Sequence, residues 1–268
     1  MGQTIKIGVL VSGGGTNLQA IIDSCNSGNI NGKIVFVGSD NSYSRGLERG
    51  SRLEIPTFVV DYGSIIKHYK ENPDQVIIPD DFDLEDIQSK QTFFSDDAEV
   101  EKVKTFLITR VVAEAKILEE IKPYDFDLLV LAGFMRNLTP YFINRVNTDS
   151  YKPRIMNIHP ALLPAFAGVD GYGDIFRYGC KVGGCTVHFV DYGEDSGPII
   201  GQRTYEIAEE DTIESIKEKG LKLEWELYPE CVKLFAEGRL KTLKMSYTLK
   251  NGEKVERTVV NILPAPRK

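Results

Sequence analysis

Asn157-Ile158-His159-Pro160 sets a carboxamide and an imidazole two residues apart, and Asp195-Ser196-Gly197-Pro198 supplies a carboxylate further along the chain. The sequence holds only three histidines, and two of them, His159 and His188, fall in or between these segments. A carboxamide can donate hydrogen bonds to a carbonyl oxygen as that oxygen gains charge. An imidazole can do the same, or exchange a proton near neutral pH. A carboxylate can fix the imidazole's tautomer and steady its cation. Each residue alone is equally well explained as a local turn or cap. Together, Asn157, His159 and Asp195 predict a site that holds a developing oxyanion and moves a proton.

A second constellation lies near the N-terminus. Residues 5–11 (IKIGVLV) are a largely apolar, β-branched run that reads as a buried strand. Ser12-Gly13-Gly14-Gly15-Thr16-Asn17-Leu18 follows directly and opens a helical pattern. A strand, a glycine turn and a helix start make an anion site, because the helix N-terminus presents free N–H groups and the positive end of its dipole. Gly14 and Gly15 let the backbone approach a phosphate, and Thr16 is expected to cap the helix. Leu18 stands where a dinucleotide fingerprint has its third glycine, and no Gly-Lys-Ser/Thr follows as in a Walker loop. The loop therefore favours a small phosphomonoester, with a tight ligand-free turn as the plain alternative.

The elements that must position these groups alternate. Residues 33–38, 56–60, 126–132 (FDLLVLA) and 154–158 read as further strands. Residues 46–52 and 103–121 read as helices, the second ending before Pro123. This rhythm predicts an α/β fold: an open, mostly parallel, Rossmann-like sheet with helices on both faces and ligands at the carboxyl ends of strands. Residues 13–15 and 157–159 both fall at such ends. Later, residues 184–190 and 199–207 read as strands, and Asp211-Thr212-Ile213-Glu214 as a capping box opening a long helix. Gly220 should weaken that helix and Pro229 kink or restart it. Residues 243–250 and 253–260, joined by Asn251-Gly252, predict a hairpin with a type I′ turn. The expected organisation is one domain over residues 1–240 and a hairpin tail over 241–268.

Residues 63–105 interrupt the rhythm. They carry five lysines, no arginine and eleven Asp/Glu, including Asp80-Asp81-Phe82-Asp83 and Asp96-Asp97, so their net charge of −6 is most of the chain's −7. They read as an insertion with short helical pieces: a solvated excursion, with a lid or flap beside the binding cleft, or a partner surface, as the alternative. His68, within it, is expected at the surface. The acidic balance disfavours a general nucleic-acid or anionic-membrane binder. No apolar run approaches the roughly 18 residues that span a bilayer. The first strand starts at Ile5, leaving no signal peptide, so a cytoplasmic location is expected. Cys25, Cys180, Cys185 and Cys231 lack zinc-site spacing and are expected as reduced thiols.

These motifs, together with Leu131-Ala132-Gly133-Phe134-Met135-Arg136, Leu162-Leu163-Pro164, Thr186-Val187-His188-Phe189-Val190 and Tyr228-Pro229, resemble the formyltransferases that use 10-formyltetrahydrofolate, above all those acting on glycinamide ribonucleotide in de novo purine synthesis. The resemblance runs from about residue 5 to 240, apart from 63–105. It implies that the backbone of Gly14, Gly15, Thr16 and Asn17 holds the acceptor's 5′-phosphate and that Glu224 contacts its ribose end. It implies a folate cleft lined by Met135, Arg136, Leu138, Val190 and Asp195, and a catalytic trio of Asn157, His159 and Asp195 supported by His188. The folate is a co-substrate, and no metal is called for. The implied partners are small molecules, with neither nucleic acid nor membrane, and a monomer or homodimer fits equally.

Where the family usually has a basic residue, an aromatic, Pro-Gly and then histidines, residues 165–174 read AFAGVDGYGD. That departure leaves a formyltransferase for another small phosphorylated amine as an alternative. A formyltetrahydrofolate deformylase would share the trio but usually carries an extra N-terminal domain, and it has no use for a phosphate loop. Formylation of a large acceptor such as initiator methionyl-tRNA calls for a basic RNA-binding domain, whereas only 30 residues follow Gly238. A non-catalytic binding protein on the same fold would have no use for the trio.

Overall fold

The computed structural model describes residues 3–265 except 96 and 150, so Asp96 of the second acidic pair and the last three residues of the tail lie outside it. The N-terminal apolar run forms β1 (Ile5–Val11) and leads through the glycine turn into α1 (Thr16–Asn26). The chain continues through β2 (Gly32–Ser39), α2 (Arg45–Ser51), β3 (Thr57–Val59), α3 (Tyr62–Glu71), α4 (Leu84–Lys90) and α5 (Val100–Ile121). Then come β4 (Leu128–Leu131), α6 (Pro140–Val146), β5 (Ile155–His159), α7 (Gly171–Tyr178), β6 (Val182–Phe189) and β7 (Ile199–Glu206). α8 (Ile213–Ala236) and the hairpin β8 (Leu240–Thr248) and β9 (Lys254–Ile262) complete it.

Seven strands form one sheet in the order β3-β2-β1-β4-β5-β6-β7. Pairings from β3 to β5 are parallel, whereas β6 and β7 add antiparallel. The chain order reverses between β1 and β4, so a crevice opens at their carboxyl ends, where such folds bind ligands. Alternation along β4 shows both faces covered: Leu128 and Val130 pack with α1 and α8, Leu129 and Leu131 with α3, α5 and α6. Among the described residues no helix is long and apolar enough to cross a membrane.

Three local expectations are corrected. α8 does not restart at Pro229 and runs from Ile213 to Ala236 with both Gly220 and Pro229 inside it. Packing overrides the lost hydrogen bond at Pro229, because the adjacent Tyr228 is fully buried and its hydroxyl donates to the carbonyls of Leu131 (3.1 Å) and Met156 (2.7 Å). The capping box is shifted by one residue: Thr212 caps, and Ser215 rather than Glu214 reciprocates. The hairpin connection is not type I′, which needs two residues at positive φ. Only Gly252 (φ 85°) has it, and the turn closes from Gly252 N–H to the Leu249 carbonyl at 2.9 Å, the three-residue bulged form.

The acidic segment is more than a solvated excursion. Ile87 is buried against Val103, Leu107, Val111 and Tyr141, with Phe82, Leu84 and Phe94 packed around them. Asp83 accepts from Asp86 N–H as the cap of α4, and Asp61, just before the segment, accepts from Ser64 N–H as the cap of α3, a use of acidic charge at helix starts. Asp81 pairs with Arg145 of α6 at 2.5 Å. His68 is exposed as expected.

One buried charge lies behind the site. Glu114 of α5 is wholly buried and accepts from the backbone N–H (2.7 Å) and hydroxyl (2.5 Å) of Thr139, which caps α6. Burial raises its pKa from 4.5 to about 7, against the pull of those two bonds. A raised carboxyl pKa means that the folded state holds the proton more tightly, so stability falls as pH climbs from about 4.5 to 7, by about 3 kcal/mol. In Glu114→Gln, whose amide can satisfy both Thr139 groups, denaturant titrations across that range should lose this slope.

Candidate active site

The glycine loop is held open from behind. The Gly13 carbonyl accepts from Gly46 N–H (3.1 Å) and the Ser44 hydroxyl (3.0 Å), and the Gly14 carbonyl from Arg49 Nε (2.9 Å). In a trans peptide the N–H points opposite to the carbonyl, so tying these carbonyls to α2 turns the Gly14 and Gly15 N–H groups the other way. The cap of α1 is Gly15 rather than Thr16, in the left-handed conformation at φ 66°, and no side chain caps the helix. Glycine is required there: a Cβ would lie 2.7 Å from the Gly46 Cα. The first-turn N–H groups from Thr16 onward have no intrahelical acceptor. Gly14, Gly15, Thr16 and Asn17 all line a cleft of about 380 Å³.

The trio converges in the same cleft. Asn157 and His159 stand at the end of β5, and Asp195 comes in on the loop after β6. Asp195 Oδ2 lies 3.0 Å from His159 Nδ1 and accepts from Gly168 N–H at 3.0 Å. Its Oδ1 faces the Asn157 amide nitrogen at 3.4 Å and His188 Nε2 at 3.5 Å. Asp195 sits at φ 50°, a conformation that costs about 1–3 kcal/mol outside glycine and persists only where the surroundings impose it. Burial would raise its pKa, but the bonds from His159 and His188 and the His159 charge hold it well below the usual carboxylate range.

His159 is buried, and both of its nitrogens face acceptors: Nδ1 the Asp195 carboxylate, Nε2 the Phe166 carbonyl at 2.7 Å. Neither acceptor carries a proton, so the surroundings favour the doubly protonated ring, in which both nitrogens donate. Its pKa is accordingly raised: burial pulls it down, but the Asp195 bond and charge and the Phe166 carbonyl outweigh that. Direct donation from His159 to a substrate oxygen therefore needs Phe166 to yield, whereas its positive charge acts without any movement. His188 has its Nδ1 2.9 Å from the Phe189 carbonyl, and its Nε2 lies 3.3 Å from the Asn157 amide nitrogen and 3.5 Å from Asp195. The Asn157 NH₂ group is turned toward the carboxylate side of the cleft by its contact with Asp195.

Glu224 of α8 is nine-tenths buried or more, and it is held from two sides. Asn17 Nδ2 donates to Oε2 at 2.7 Å, and the Tyr172 hydroxyl donates to Oε1. Burial raises its pKa against the pull of Tyr172, Asn17 and the His159 charge. The Asn17 side chain thus serves Glu224, while its backbone remains with the loop. Tyr172 lies in the segment that lacks the family's histidines. Its ring packs on Gly220 so closely that a Cβ there would meet it at 2.4 Å, which explains the glycine inside α8.

Met135, Arg136, Leu138 and Val190 line the cleft as expected. Leu138 is buried and Met135 exposed. Arg136 is committed by its Nε to the buried Asp40 at 2.6 Å and lies over the Tyr62 ring at 5.3 Å. Phe93, Tyr172 and Lys217 also line the cleft and carry no sequence signal, since only the fold brings these positions to it.

An α/β chain that gathers an amide, an imidazole–carboxylate pair and a glycine loop opening a helix around one cleft has the parts of an enzyme that moves an acyl group between small molecules. Residues 5–232 match the family described as formyl transferase, and the chain belongs to that family. It is 32% identical over 228 residues to phosphoribosylglycinamide formyltransferase of Bacillus subtilis, covering 85% of this chain and 93% of the relative. It is 35% identical over 236 residues to the Haemophilus influenzae protein of the same name, covering 88% and 89%. Its fold is similar to glycinamide ribonucleotide transformylase 1 of Symbiobacterium toebii, with a TM-score of 0.70, 34% identity, and coverage of 98% of this chain and 96% of that one.

Proposed function

We propose that this chain transfers the formyl group from N10 of 10-formyltetrahydrofolate to the amine of glycinamide ribonucleotide, a step of de novo purine synthesis. One observation carries the reading: a single cleft is lined by the glycine loop and Glu224, by Met135, Leu138 and Val190, and by Asn157, His159 and Asp195. The loop N–H groups suit the acceptor's phosphate, and Glu224 suits its ribose hydroxyls.

The amine attacks the formyl carbon, and the carbonyl oxygen becomes an oxyanion. The Asn157 NH₂ group donates to it, and the His159 cation stabilises it through space. Asp195 takes a proton from the attacking nitrogen and passes it on to N10 as the carbon–N10 bond breaks. Its depressed pKa makes it a weak base, so the proton, carried directly or through water, does not come to rest on it.

Formyl transfer is tested by following tetrahydrofolate release with and without glycinamide ribonucleotide. Release that requires the nucleotide supports the reading. Release without acceptor would overturn it in favour of a hydrolase. Folate binding with no release would mean that the unusual segment 165–174 has changed the acceptor. A second check is Tyr172→Phe, which removes one donor from a buried carboxylate, a loss of about 1.5–3 kcal/mol. KM for the nucleotide should rise at least tenfold while KM for the folate stays within about twofold. Equal effects on both would argue against Glu224 as an acceptor contact.

A further inference from the structure

Residues 91–94 of the acidic segment form a turn against the cleft. The Gln91 side-chain oxygen accepts from the N–H groups of Phe93 (2.7 Å) and Phe94 (3.1 Å). Phe94 is turned onto Phe106 of α5 with ring centroids 5.1 Å apart. Phe93, at 6.2 Å from the same ring, lines the cleft together with Met135, Leu138 and Val190. Thr92 N–H donates to the Tyr192 carbonyl at 3.2 Å. The crossing is tight: a Cβ on Gly193 would lie 2.5 Å from the Thr92 hydroxyl.

Tyr192 and Gly193 belong to the loop that delivers Asp195. That loop is tied to the body by Tyr192 on Asn144 (2.5 Å) and by Asn137 on Glu194 (3.1 Å). Thr92 is a third tie, and it comes from the acidic segment. A non-glycine residue held at positive φ needs such ties, because nothing in its own preference keeps it there.

We infer that residues 92–93 are part of the working site: Phe93 is an aromatic wall for the planar ring system of the formyl donor, and Thr92 is a positioning residue for the Asp195 loop. The identity of the donor rests on the function proposed above; the wall and the tie are read from the contacts of this chain. Phe93 brings an aromatic ring to the stretch of cleft lined by Met135, Leu138 and Val190, which suits a flat pterin or aminobenzoyl group. Thr92 acts through its backbone, so its side chain is dispensable and its N–H is not.

Four variants of the full chain separate these roles, each first checked for folding by thermal denaturation. Phe93→Ala should weaken the binding of 10-formyltetrahydrofolate, titrated without acceptor, by about tenfold and leave KM for the nucleotide unchanged. Phe94→Ala, which loses a ring packed on Phe106, should lower Tm but keep folate affinity. Thr92→Pro deletes the N–H, and Gln91 before it is already extended (φ −72°, ψ 150°), as a following proline requires. It should lower kcat about tenfold with folate affinity within threefold, whereas Thr92→Ala should behave as wild type. Unchanged folate affinity in folded Phe93→Ala, or an equal loss in Phe94→Ala, would overturn the wall. Wild-type kcat in Thr92→Pro, or an equal loss in Thr92→Ala, would overturn the tie. If the wild-type chain binds no 10-formyltetrahydrofolate, the donor assignment fails and the wall with it.

Discussion

Replacing Asn157 by alanine should lower turnover about 100- to 1000-fold, with KM for both substrates little changed. The magnitude is that of losing one preorganised donor to an oxyanion, which acts in the transition state and hardly at all before it. The NH₂ group is otherwise only weakly held. Its contacts with His188 and Asp195 are long, at 3.3 and 3.4 Å, and those two residues remain near one another without it. Fold and stability should therefore survive, and circular dichroism with a thermal scan would check that they do. His159→Ala should fall in the same range or beyond, because it deletes the ring that the proposed mechanism sets against the oxyanion and also frees Asp195. Near wild-type kcat in folded Asn157→Ala would remove the amide from the mechanism and leave the site without a directed donor.

Much of this site was legible because its parts lie at strand ends, where a strand reads as an apolar run and its end as a polar motif. Asn157 and His159 follow β5, and the glycine loop follows β1. Asp195 was legible for a different reason: the Asp-Ser-Gly-Pro motif has no apolar period to serve and needs another explanation. What stayed hidden was the set of contacts made across long sequence distances. Tyr172 reaches Glu224 across 52 residues and Asn17 reaches it across 207, and neither tyrosine nor asparagine carries a local signal of that use. The Phe166 carbonyl that holds His159 is backbone, and no side-chain pattern can announce it. The expected restart at Pro229 failed for the same physical reason. Propensity is a local quantity of a few kcal/mol, whereas Tyr228, Leu227 and Cys231 tie that stretch to the core over a whole helix face. The acidic segment looked solvated because charge dominates its composition, while a few apolar residues, Ile87, Phe93 and Phe94 among them, decide where it packs.

The other large effect is expected from Asp195→Asn, and it can be read on His159 itself. In the wild-type protein the imidazole should titrate above its ordinary 6.5, because the Asp195 bond and charge and the Phe166 carbonyl outweigh burial. A group with a raised pKa adds stability below its unfolded value and loses it as pH rises through the folded one. The carboxylate has the opposite sign: its depressed pKa adds stability above 3.8, lost as pH falls toward the folded value. The pair therefore contributes fully between about pH 4 and 6.5. An asparagine keeps the shape but removes the charge, so burial is left with less to oppose it and the ring should titrate below 6.5. Nitrogen-15 NMR of His159 would follow both midpoints. Turnover should fall at least about 1000-fold, because one substitution removes the proton relay, the imidazolium's partner and the charged acceptor for Gly168 N–H. A His159 midpoint that does not move would mean that the Phe166 carbonyl alone sets the charge of the ring. A midpoint that falls while turnover survives would show that the cation is not what stabilises the oxyanion.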